Sequence, residues 1–359
     1  MGKIRLTIID RINGIFKVIY KTLENNFANK KLLKGNSIEG NIQKMNNLMI
    51  NFYKNKKLII TDIQNIEKVT FYASDGRKLS GILYEPNKKS NKWLIASHWF
   101  AGHKYWSLYH AKVFAKLGYN IFSFDFRNHG ESESDFETMG FLEIRDLMGA
   151  IEFLTQTKKP KILGLMGTSM GGYAASYVNV EFGKELRNKH NLKFVISDVP
   201  YSSFESLLIH VRNLYLKIIR KSNIKKYLDS LEKNIKKNVI DFSMKEMNII
   251  LKYKNGKIPA APQLFMHGKN DKTTPHADSL EMAFYHSKFF YKDEIQIYNY
   301  SPHTQATRVH FPEHTRAIIK FENSIIHDND FTTSAINFFE LEKIDYSKLL
   351  KTGDVTIDN

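Results

Sequence analysis

The residues able to do chemistry in this chain stand far apart in sequence, and their types suit covalent catalysis by a serine hydroxyl. Gly167-Thr168-Ser169-Met170-Gly171 fits the pattern G-x-S-x-G, directly after the apolar KILGLM and directly before the helix-patterned GYAASYVNVEF. A serine on a sharp strand-to-helix turn holds a strained backbone, which only small flanking residues permit. A hydroxyl is a weak nucleophile near neutral pH, so Ser169 needs a base, and that base needs an orienting carboxylate. Asp271 in HGKNDKTTP and His303 in IYNYSPHTQA supply these, in the chain order Ser, Asp, His. Each follows a strand-like stretch, so each is expected at the carboxyl edge of a sheet. Asp198, at the end of KFVISDV, is the rival acid. Among rival bases, His310 and His314 fall in or beside a helical stretch, and His327 would require a long excursion after Asp271.

The oxyanion formed by attack on a carbonyl requires N–H donors already aimed at it. Met170, which follows the nucleophile, is assigned one of them. Phe100, in the loop His98-Trp99-Phe100-Ala101-Gly102-His103-Lys104, is assigned the other, with Trp99 as its neighbouring alternative.

The elements that must position these groups alternate in character. KVTFYASDGRKLSGILYEP has two β-rich runs around Ser74-Asp75-Gly76, which predicts an antiparallel hairpin. Six later stretches are short and rich in β-branched or aromatic residues: 93–99, 120–126, 161–167, 193–199, 262–268 and 294–300. Enough chain separates them for crossovers, which parallel strands require. The fold class is therefore α/β, an open and mostly parallel sheet with helices on both faces.

Pro200 to Lys257 is longer than one crossover and carries helical patterns, so a cap over the site is expected at about 200–257. Trp99, Tyr201, Phe204 and Leu208 are assigned to substrate binding; Leu207, Leu214, Tyr215, Ile218 and Ile219 are further apolar residues that the cap offers. Residues 1–58 read as an N-terminal helical extension, with Ile4, Ile8, Ile12, Ile15 and Ile19 on one stripe. That stripe suits either packing on the body or a seat on an anionic membrane surface. The core is expected over 59–325, and residues 326–359 form a C-terminal extension of unreadable role.

Bulk properties narrow the class. With 42% hydrophobic and 25% charged residues over 359 positions, the chain is of globular composition. It has no cysteine, which excludes disulfides, thiolate metal sites and cysteine nucleophiles and fits a cytoplasmic setting. Charges interrupt the apolar N-terminus, and Leu6 breaks the myristoylation pattern, so neither a cleaved signal, a membrane span nor that anchor is expected. The net charge of +16 is concentrated: residues 1–58 and 212–257 each carry +9, leaving the remainder at −2. A basic excess outside the expected core does not point to nucleic-acid binding. No phosphate-binding, dinucleotide or H-E-x-x-H metal motif appears, so neither cofactor nor metal is expected.

Over about residues 67–325 the sequence resembles the α/β-hydrolase superfamily, nearest to bacterial serine hydrolases and esterases with a helical cap and an N-terminal helical extension. The resemblance rests on His98 to Lys104, on Asp125-Phe126-Arg127-Asn128-His129-Gly130-Glu131-Ser132, on the Ser169 turn, on HGKND and on His303. Two positions depart from the family pattern. Trp99 stands where glycine is usual, and Asn128 replaces the first glycine of Arg-Gly-His-Gly; asparagine tolerates the left-handed region. The resemblance implies cofactor-free hydrolysis of a carboxylic ester and a structural role for Arg127, His129 and Glu131 beneath the site. A lysophospholipase or monoacylglycerol lipase at a membrane surface, a serine peptidase, and a non-catalytic interaction protein are the other readings. Oligomeric state is not legible.

Overall fold

The computed structural model describes residues 37–215, 224–343 and 355–358. The isoleucine stripe at 4–19, together with Ile218 and Ile219, lies outside the described residues. The predicted hairpin is formed by β1 (Ile66–Tyr72) and β2 (Lys78–Tyr84), with Gly76 at φ 84° in the turn between them. Five parallel pairings then link β3 (Lys92–Ser97), β4 (Asn120–Phe124), β5 (Ile162–Thr168), β6 (Leu192–Asp198), β7 (Gln263–Gly268) and β8 (Glu294–Tyr298). Among the described residues the sheet order is β1-β2-β4-β3-β5-β6-β7-β8, closed at the far edge by β9 (Val355–Asp358) antiparallel to β8. The C-terminal extension, unreadable in sequence, therefore adds a strand to the sheet.

The strands are apolar along their length because both faces are covered. Side chains alternate between two buried layers: Trp93, Ile95, Leu165, Val195 and Phe265 face one, and Leu94, Met166, Phe194, Ile196 and Leu264 face the other. The first layer is covered by helix 143–158, by helix 170–181 and by helix 276–286; the second by helix 38–51, helix 104–110, helix 311–326 and helix 329–339.

In chain order these helices are α1 (Ile38–Asn51), α2 (Lys104–His110), α3 (Lys112–Lys116), α4 (Glu143–Lys158), α5 (Met170–Glu181), α6 (Gly183–Lys189), α7 (Phe204–Tyr215), α8 (Ile224–Ile235), α9 (Ile249–Lys254), α10 (His276–His286), α11 (Ala306–Val309), α12 (Phe311–Ile326) and α13 (Asn329–Phe339). Ser37 caps α1 by accepting from the Gly40 amide, and Ile42, Met45 and Met49 recur on its buried face. This part of the N-terminal extension thus belongs to the core of the body rather than standing apart from it. Helices α7, α8 and α9 occupy the interval between β6 and β7, where the cap was expected. Tyr173 of α5 donates to the Met247 carbonyl (2.8 Å), and Arg145 pairs with Asp241, so both tie this insertion to the body.

Candidate active site

Ser169 sits between the end of β5 and the start of α5, with φ 55° and ψ −114°. That conformation is costly for a residue with a side chain, and the neighbourhood enforces it. A Cβ at Gly167 would stand 2.1 Å from the Gly171 carbonyl oxygen, and one at Gly171 would stand 2.5 Å from the Ser97 carbonyl oxygen. The Ser169 amide donates to the Asp198 carbonyl (2.8 Å), pinning the turn to β6.

Asp271 and His303 leave the carboxyl ends of β7 and β8 and meet Ser169 there. The Ser169 hydroxyl donates to His303 Nε2 at 2.9 Å, and His303 Nδ1–H donates to Asp271 Oδ2 at 2.7 Å. Asp271 Oδ1 accepts from the amides of Thr273 (2.7 Å) and Thr274 (3.0 Å), and Oδ2 also accepts from Thr274 Oγ1 (3.1 Å). Burial pushes the Asp271 carboxyl up, but the charge and hydrogen bonds of His303 and nearby His267 outweigh it and hold the group well below the usual carboxylate range. An ionised, fully hydrogen-bonded carboxylate fixes the imidazole in the tautomer whose Nε2 can accept the serine proton.

The rivals stand elsewhere. Asp198 is buried beneath the site with neither carboxylate oxygen hydrogen-bonded to a described residue, and His314 Nε2 lies 4.0 Å away. Burial raises its pKa to about 7, with Asp271 adding to the rise and His303 opposing it. His310 Nε2–H donates to the Asn299 carbonyl, and His327 sits at the C-cap of α12 beside Lys292.

Met170 occupies the first position of α5, where an amide has no intrahelical acceptor. Phe100 lies in the facing loop and lines the cavity above Ser169. The loop turns through Trp99–Gly102, closed by the Gly102 amide donating to the Trp99 carbonyl (2.8 Å). The left-handed residue is Ala101 (φ 62°), not Trp99. The bulk of Trp99 therefore imposes no backbone strain, and its ring is free to pack on Trp106 and His110. Ala101 donates its amide to His129 Nε2 (2.9 Å), while His129 Nδ1–H donates to the Arg127 carbonyl (2.8 Å).

A buried ionic layer holds this loop from below. Lys104 Nζ reaches Asp125 (2.5 Å) and Glu131 (2.7 Å), and Arg127 reaches Asp146 (2.7 Å) and Asp75 (2.9 Å). Asn128 takes the left-handed conformation its type allows (φ 60°), as does Gly130 (φ 50°), whose Cβ would otherwise strike the Asp125 carboxylate at 2.3 Å.

The cavity over Ser169 has a volume of roughly 780 Å³. Trp99 and Tyr201 line it, as assigned from sequence; Tyr201 also stacks on Tyr173 and donates to the Met139 carbonyl. Phe204 and Leu208 do not line it, which corrects that assignment. Phe204, Leu207 and Leu208 all lie on α7 and pack in the apolar core, but of them only Leu207 also borders the cavity. Leu214 is exposed. Sequence reasoning missed Phe52 and Tyr53, just after α1, and Trp106, Gln305 and Arg308. No local pattern marks them, since they come from three segments well separated in the chain.

Comparison with models of protein families yields no match. The chain is 25% identical over 247 residues to a protein of Mycoplasma pneumoniae described as "Putative esterase/lipase 2", covering 64% of this chain and 89% of that one. Among solved structures, the Pyrococcus furiosus esterase Pf2001 superposes with a TM-score of 0.55 at 21% identity, covering 72% of this chain and 92% of that one. The sheet order, the serine turn and this superposition agree. The fold is that of the α/β-hydrolase superfamily. The Pyrococcus horikoshii acylaminoacyl peptidase superposes with a TM-score of 0.51 at 17% identity, covering 72% of this chain and 41% of that one. Among the described residues, no helix is long and apolar enough to cross a membrane.

Proposed function

We propose that the chain is a serine hydrolase acting on carboxylic esters through an acyl-enzyme. The reading is carried by one observation, the unbroken hydrogen-bond relay from Ser169 through His303 to Asp271 opening on an apolar cavity. Ser169 Oγ attacks the ester carbonyl as His303 Nε2 takes its proton, and Asp271 stabilises the imidazolium. The amides of Met170 and Phe100 receive the oxyanion. Collapse expels the alcohol, protonated by His303, and water repeats the sequence to release the acid. The aromatic walls Trp99, Tyr201 and Trp106 suit an apolar acyl or alcohol group.

Ser169→Ala tests the reading. Turnover of a short-chain p-nitrophenyl ester should fall by about 10³-fold or more with the thermal midpoint kept, and a fluorophosphonate probe should no longer label the protein. Full activity in that variant would refute it. Measuring an acyl-peptide p-nitroanilide in parallel separates this reading from that of an acyl peptidase.

A further inference from the structure

The charge inside the cavity is one-sided. Among the described residues its walls include two cations, Arg308 and Lys272, and no aspartate or glutamate. Lys272 is exposed at the rim, whereas Arg308 is half-buried and held in place. Its guanidinium lies over the Phe52 ring, 4.7 Å from the centroid, and its Nε–H donates to Gln305 Oε1 at 2.7 Å. Stacking and the Gln305 bond fix the plane of the fork. The N–H groups of Nη1 and Nη2 reach no acceptor among the described residues, and no carboxylate there pairs with Arg308. A guanidinium fixed by its face and its Nε presents its outer N–H groups as a preorganised bidentate site for a carboxylate or a phosphate.

From this geometry we infer that Arg308 is an anion-recognising residue, and that the substrate is an ester bearing a negatively charged group, a carboxylate or a phosphate, besides its scissile carbonyl. The inference rests on the proposed hydrolase reading and specifies its substrate class. Arg308 is five positions after His303 on the same excursion from the sheet. Ser169, His303 and Arg308 line the same cavity of roughly 780 Å³, so one small molecule can meet both the hydroxyl and the guanidinium. The apolar walls between them take the hydrocarbon linker. An uncompensated cation beside apolar surface attracts an anion more strongly than it would in open water, because less solvent screens it.

Two arms test this separately from the hydrolase reading. In the first, p-nitrophenyl monoesters of dicarboxylic acids of increasing length are compared with neutral esters of matched length. Wild type should favour the anionic series, and the anionic-to-neutral ratio of kcat/KM should fall roughly tenfold or more in Arg308→Gln, chiefly through KM, with Arg308→Lys recovering part of it. In the second, calorimetry on the Ser169→Ala protein, which needs no turnover, compares heptanoate and hexyl phosphate with heptanol. Both anions should bind more tightly than the alcohol and lose that advantage in Ser169→Ala/Arg308→Gln; which anion binds better identifies the source of the charge. An unchanged selectivity ratio in Arg308→Gln, or equal binding of anions and alcohol, would overturn the inference. Arg308-dependent anion binding without turnover of any ester would keep Arg308 as an anion-recognising residue but defeat the hydrolase reading and, with it, the ester substrate.

Discussion

Replacing Asp271 by asparagine isolates the role of its charge without removing its bulk. Asparagine has one carbonyl oxygen to place. Aimed at the Thr273 and Thr274 amides, it keeps both bonds now made to Oδ1 and turns the NH₂ group toward His303. The opposite orientation sets NH₂ against two amide donors, at about 1–3 kcal/mol for each unpaired group, so the first orientation wins. His303 Nδ1 then faces a donor and must give up its proton to Nε2. In that tautomer Nε2 cannot accept the Ser169 proton. The expected loss in kcat is about 10³–10⁴-fold, or roughly 4–5.5 kcal/mol of barrier. Initial rates on a short p-nitrophenyl ester measure it, and the rate of fluorophosphonate labelling should drop in parallel because the same base drives both attacks. Asp198→Asn serves as the contrast, since that carboxylate touches neither His303 nor Ser169 with a hydrogen bond, and should lose less than about tenfold. Activity of Asp271→Asn within tenfold of wild type, or a larger loss in Asp198→Asn, would refute the reasoning.

Two other outcomes follow from burial. Asp198 has its folded pKa raised from 3.8 to about 7, so the folded state keeps a proton that the unfolded chain releases between those values. Stability should therefore decline as pH rises through that window, with the penalty complete above about 7. Thermal melts should show the advantage of Asp198→Asn over wild type growing from about pH 4 to about pH 8; a constant difference would contradict the buried-carboxyl account. Deleting residues 1–58 removes the buried Ile42, Met45, Met49 and Tyr53 and one wall of the cavity. Loss of cooperative melting and of esterase activity is expected, and a truncated protein with wild-type kcat/KM would show that this segment is dispensable.

The strands themselves, the serine turn and the residues that the hydrogen-bond relay joins were legible in the sequence, while the order of the strands in the sheet was not. Strands buried on both faces leave continuous apolar runs, and a strained turn demands glycine at Gly167 and Gly171, so both constraints are written in adjacent letters. The acid and base could be placed because each follows a strand, and the strand ends converge in a parallel sheet. Asp198 met the same criterion, and only the hydrogen bonds separate it from Asp271. Elsewhere the letters were ambiguous. Trp99 looked misplaced until the turn put the left-handed conformation on Ala101, which leaves the indole to pack on Trp106 and His110. Phe204, Leu207 and Leu208 are all apolar, and which of them faces the cavity depends on the rotation of one helix. The edge pairing of residues 355–358 with β8, and the meeting of Phe52 with Arg308 across most of the chain, depend on contacts between distant segments. Backbone geometry and burial act on neighbouring residues and so leave a pattern in sequence, whereas a cavity wall is assembled by packing between distant segments, which leaves none.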